Sequence, residues 1–170
     1  MSTTNIDLDT YIENVSNYDI PIEPEIWSDW LSTWFRNLDL DLDPQITYEI
    51  SLRLTDDREI QYLNQQFRNL DKPTDVLSFA GLEDDIPLVE ELDTIVLGDI
   101  IISMDTALKQ AKLEGHDLKT ELAWLTSHGF LHLLGWDHPD DESLNEMLTR
   151  QAKLLTLVTI EPPSVKKYFS

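Results

Sequence analysis

Apolar and polar positions along the chain follow two periods, and together they predict four strands and five helices. Ile6, Leu8, Thr10 and Ile12 alternate with polar neighbours, as in a short strand. Pro24 then opens a helix whose apolar face is Ile26, Trp27, Trp30, Leu31, Trp34, Phe35 and Leu38, ended by Asp41, Asp43 and Pro44. From Ile46 to Leu54 the period is strictly two, with Thr47, Glu49, Ser51 and Arg53 between the apolar residues; this is a half-buried strand. Thr55 and Asp56 offer a cap for a helix to about Phe67, and Asp75–Phe79 reads as another strand. Thr94–Ser103 is more continuously apolar, which predicts a strand covered on both faces. Helices follow at about 104–114, 117–134 and 140–158, and Pro162 and Pro163 stop the last.

Helices gathered late in the chain, after most of the strands, predict an α+β fold with one mixed sheet. The 170 residues fit a single domain spanning 1–170, with 41% hydrophobic residues to fill its core. Within it, 1–44 is an acidic strand-and-helix region and 45–158 holds the motifs described below. The start, MSTTNIDLDT, lacks the basic and apolar regions of a secretory signal, and no apolar run is long enough for a bilayer. The expectation is a soluble, cytoplasmic protein without a membrane partner.

Chemistry enters with the histidines. His128 and His132 stand four apart on a helix, ELAWLTSHGFLHLL, that is apolar nearly all round, so both lie on one face of a buried segment. Gly135 can end that helix, and the returning chain presents His138 three residues later. Three imidazoles leave the fourth tetrahedral position of a zinc ion open, which is the catalytic form of zinc coordination. Packing alone explains them poorly, because uncompensated imidazoles in an apolar helix cost a few kcal/mol. His116, after Gly115 in a polar stretch, reads as merely solvated. The chain has no cysteine, which excludes disulfides, thiol catalysis and iron–sulfur clusters.

H-x-x-x-H-x-x-G-x-x-H is the spacing of metzincin peptidases, whose glutamate after the first histidine is the general base. Here that position is Gly129, so a peptidase lacks its base and becomes the second choice. Gly129 serves either to clear space beside a metal or to let the helix pack closely.

HGFLHLLGWDH (128–138) resembles the H-G-x-L-H-L-x-G-x-D-H signature of the YbeY family of metal-dependent endoribonucleases. LNQQFRNLDKPTDVLSF (63–79) and LGDIIIS (97–103) resemble two further stretches of that family, in its order and spacing. Trp136 stands where tyrosine is commonest. The resemblance implies a zincin-like α+β fold with the metal motif on a central buried helix, and one Zn2+ held by His128, His132 and His138. It also implies cleavage of single-stranded RNA in maturation of small-subunit (16S) ribosomal RNA and in ribosome quality control. Partners implied are the small ribosomal subunit and the Era GTPase. A non-catalytic assembly factor with structural zinc is a further alternative.

By the same resemblance Arg68 acts with the histidine site, His128 being catalytic as well as a ligand. Read alone, Arg68 is a cation at a helix C-terminus, favoured by the macrodipole, or a surface ion pair. A guanidinium can nevertheless grip two phosphate oxygens, and Arg68 with Lys72 is the candidate substrate contact. The net charge of −21 opposes RNA on a global count, but 15 of those charges come from 1–44 and 82–94, whereas 53–75 carries four bases against five acids. Those acidic stretches are expected to lie away from the cleft. Thr74, Asp75 and Ser78 either brace a turn or touch substrate; Asp99, interrupting an apolar strand, is expected to be buried, bonded to backbone amides in preference to bracing a ligand imidazole, and Asp137 to serve the turn. The Trp27, Trp30 and Trp34 stripe is read as core.

Overall fold

The computed structural model describes residues 7–81 and 94–163, so Ile6 and nearly all of the acidic stretch 82–94 lie outside the described residues. Strands β1 (Asp7–Asn14), β2 (Thr47–Thr55), β3 (Val76–Ala80) and β4 (Thr94–Ser103) form one mixed sheet in the order β1-β2-β4-β3. β1 pairs parallel with β2 and β2 parallel with β4, and β3 runs antiparallel to β4 at the edge. Helices α1 (Pro24–Arg36), α2 (Asp57–Arg68), α3 (Met104–Glu114), α4 (Leu118–Leu133) and α5 (Asp141–Leu157) complete a single α+β domain.

The period-two pattern of β2 sorts its side chains as expected. Tyr48, Ile50, Leu52 and Leu54 face the main core, together with Ile100 and Ile102 of β4. Trp27, Trp30 and Trp34 of α1 join that core, stacked edge-to-face and offset, and Trp34 Nε1 donates to Leu154 O at 2.7 Å. α1 stops at Arg36, short of Asp41, because Asn37 turns back to Trp34 O and Thr33 O and Asp39 takes a left-handed φ of 50°.

The opposite face of the sheet is covered thinly. Ile60 and Leu63 of α2 pack there on Leu77, Phe79 and Ile101, a much smaller cluster. β4 is therefore covered on both faces only toward its C-terminal end, and Val96 and Asp99 are exposed. One twelve-residue helix cannot roof the whole face, and this corrects the expectation of a doubly buried strand. The strand also carries a bulge: Glu49 pairs with Val96 and Ile50 with Gly98, leaving Leu97 extra. Gly98 has φ 141°, and a Cβ there would stand 2.2 Å from Phe79 O, so only glycine fits.

Candidate metal centre and active-site cleft

α4 is the most buried helix, because its polar residues are few and it lies between the sheet and its neighbours α3 and α5. Asp117 caps it by accepting from Thr120 N. At its far end Gly135 (φ 98°) reverses the chain, with Gly135 N bonded to His132 O and Trp136 N to Leu131 O. That turn returns His138 to the helix. Its ring lies 5.6 Å from that of His128 and 5.4 Å from that of His132, centroid to centroid.

One nitrogen from each of the three imidazoles lies within 4.8 Å of the others. The Nε2 atoms of His128 and His132 are 3.0 Å apart. His128 Nδ1 sits 3.0 Å from Gln151 Oε1, an acceptor on α5 that fixes the proton on Nδ1 and turns the Nε2 lone pair toward the cluster. Gln151 is fully buried and anchored in turn to Trp124 O. Burial lowers the pKa of His128, and burial with the neighbouring His128 lowers that of His132 to about 4. Both are thus neutral near pH 7, the state a metal ligand requires. Convergent imidazole nitrogens suit a divalent ion such as zinc, and among the described residues no fourth His, Asp or Glu joins them.

Gly129 is explained by packing. A Cβ there would meet Ile100 Cγ2 at 2.8 Å and Ser78 Oγ at 2.9 Å, so glycine lets α4 press onto the sheet. Ser78 Oγ donates to Gly129 O at 3.0 Å across that contact. Of the two readings left open by the sequence, close packing is the correct one.

Arg68 ends α2, and Asn69 in the left-handed conformation closes the helix behind it. Its guanidinium reaches the edge strand, where Nη2 donates to Ser78 O at 2.7 Å and Cζ lies 4.9 Å from the Phe79 ring centre. Arg68, His128, His132 and Trp136 share one open cleft of about 410 Å³, with β3 as its wall. The backbone of β3 thus couples the arginine to the histidine helix.

A profile of the family described as Endoribonuclease YbeY matches residues 11–159. The chain belongs to the YbeY endoribonuclease family. It is 54% identical over 84% of its length to the Endoribonuclease YbeY of Nostoc sp., covering 78% of that protein. It is 49% identical over 92% of its length to that of Picosynechococcus sp., covering 98% of it. In three dimensions it is similar to TM1509 from Thermotoga maritima, with a TM-score of 0.55, 25% identity and 88% of each chain covered. No helix among the described residues is long and apolar enough to cross a membrane.

Other YbeY motif residues serve as braces. Asp75 accepts from Val76 N at 2.7 Å and from Gln110 Nε2, with Thr74 beside it, and Asp137 accepts from His138 N. Lys72 is exposed in the loop after α2, where its carbonyl accepts from buried Asn64; it is not among the residues lining the cleft. Asp99 is exposed rather than buried, since α2 does not reach it. His116 is not solvated as expected but half-buried against Glu121, because the α3–α4 turn folds it onto α4. Among the described residues, none from 7–44 lines the metal cleft. Gln151 escaped the sequence reading; its only trace there is an amide in the apolar stripe Met147, Leu148, Leu154 and Leu155 of α5.

Proposed function

We propose that this YbeY-family chain is a metal-dependent endoribonuclease of zincin-like fold. It cleaves single-stranded RNA during small-subunit ribosomal RNA maturation and ribosome quality control, in association with the small subunit and Era. The observation that carries the reading is three convergent imidazoles, two of which, His128 and His132, share one cleft with the Arg68 guanidinium.

His128, His132 and His138 would hold zinc, which when bound supplies Lewis acidity toward a phosphate oxygen and a more acidic water. Gln151 holds the His128 tautomer, so that this imidazole offers its Nε2 lone pair without rearrangement. Arg68 supplies positive charge where phosphodiester cleavage accumulates negative charge. A guanidinium has five N–H donors, and the bond to Ser78 O fixes its plane while leaving others for non-bridging oxygens. Gly129 offers no carboxylate beside His128, which disfavours peptide hydrolysis of the metzincin kind.

The test couples metal content to cleavage of a single-stranded RNA by wild type and Arg68→Ala. Loss of one such donor commonly removes ~10²–10³ of rate. The expected outcome is a loss of that order with metal content and melting unchanged. Wild-type cleavage by Arg68→Ala would reduce Arg68 to a structural cation at a helix end.

A further inference from the structure

Arg68 lines a second hollow as well. On the sheet face that α2 leaves open lies a groove of about 740 Å³, within the usual ~300–1,000 Å³ of small-ligand pockets. Phe67 and Phe79 form one side, their rings 5.3 Å apart at 68°, and Tyr11 of β1 stands on the other. Phe67 is 61% exposed and Tyr11 54% exposed, so two aromatic rings bordering one groove are left in water. The floor is polar: Ser51 and Asp99 are register neighbours on β2 and β4.

Charge selects the occupant. Arg53, the other cation in the groove, is already bonded to both Glu13 and Glu59. Among the lining residues that leaves Arg68, at the rim shared with the metal cleft, as the cation not engaged with a carboxylate. A neutral, flat group fits inside, and its anionic linkage fits at the rim. We propose that the groove is a nucleobase subsite: a strand whose phosphate lies at Arg68 turns over the β3 edge and places the adjoining base against Phe67, with Ser51 and Asp99 facing the base's polar edge. Aromatic platforms beside a cation are how single strands are bound without a duplex. Partial desolvation raises the pKa of the Asp99 carboxyl, whose oxygens can accept from a base's amino or imino N–H.

The inference rests on the RNA reading above, and its test separates the two. Binding of a fluorescent single-stranded 2′-O-methyl hexaribonucleotide, checked intact afterwards, is measured by anisotropy with metal-loaded protein. Cleavage of the matching RNA is followed in parallel. Phe67→Ala should weaken binding between about fivefold and a hundredfold, the range for one aromatic–base stack, while Phe67→Trp stays within about twofold of wild type. An abasic nucleotide moved along the probe should find one position at which wild type and Phe67→Ala bind equally, which a merely structural role for Phe67 would not produce. If wild type cleaves RNA but Phe67→Ala binds and cleaves like it, the subsite is wrong and the nuclease reading stands. If binding depends on Phe67 but no RNA is cleaved, the subsite stands and the nuclease reading falls. If the wild type neither binds nor cleaves, both are overturned.

Discussion

Replacing Gly129 with alanine adds one methyl group at the closest approach of α4 to the sheet. The new Cβ would lie 2.8 Å from Ile100 Cγ2, 2.9 Å from Ser78 Oγ and 3.3 Å from Val76 Cγ2. The first two separations are shorter than van der Waals contact, so helix and sheet must part, or both side chains must shift. Overpacking of this kind costs ~1–3 kcal/mol. Against it, alanine gains ~1 kcal/mol over glycine in a helix interior. The balance is a destabilisation of about 0–2 kcal/mol; at ~2–4 °C per kcal/mol for a domain of this size, Tm falls by up to about 8 °C. Urea unfolding of the two proteins, read at unchanged slope, measures it directly. Gly129→Glu puts a carboxylate into the same contact, and burying an unpaired charge costs several kcal/mol more. Since Gly129 adjoins His128, the strain reaches the ligands, and the expected outcome is lost RNA cleavage with metal retained or weakened. An alanine variant more stable than wild type by the full helical gain would refute the packing argument. A glutamate variant that cleaves RNA normally would refute its consequence for the site.

Arg68→Lys should recover little of the activity lost in Arg68→Ala, since an ammonium cannot hold Ser78 O and two phosphate oxygens in one plane; parallel cleavage rates decide it. Gln151→Leu removes the acceptor for His128 Nδ1 and should weaken metal binding by ~10–100-fold in a chelator competition, with Gln151→Glu retaining more affinity. Acid should destabilise the metal-free protein. His132 titrates near 4 when folded against 6.5 in the open chain, so as pH falls through that window the unfolded state takes up the proton first. The stability lost is about 3 kcal/mol at most, levelling off below pH 4, and denaturant titrations of wild type and His132→Gln across the window measure it.

The fold was legible wherever one face of an element meets one environment. β2 alternates strictly because its two faces see different surroundings, and α1 shows its stripe because tryptophans fill one side only. Legibility failed where coverage depends on another element's length. Nothing within Thr94–Ser103 reveals that α2 roofs only the C-terminal end of that strand, so Asp99 was placed in a core it does not enter. His116 failed for the same reason: Gly115 and Asp117 mark a turn, but only the packing of α3 on α4 brings the ring to Glu121.

The candidate metal site divides along the same line. The convergence of its three histidines was legible because their geometry is local: a four-residue helical step, then a glycine turn with φ 98°. The rest of the site is held across the sequence. Gln151 meets His128 from a different helix, 23 residues on, and Arg68 reaches the cleft only because β3 is an edge strand with an outward carbonyl at Ser78. Ser78 uses that carbonyl toward Arg68 and its hydroxyl toward Gly129, so one residue registers the arginine against the histidine helix. The conformity of 63–79 to a family pattern therefore has a physical content that periodicity does not express. Along with the arginine, the segment supplies the strand that sets the distance between the cation and the imidazoles. A substitution that shifts β3, such as one at Gly129, should then disturb cleavage without touching any group that meets the phosphate.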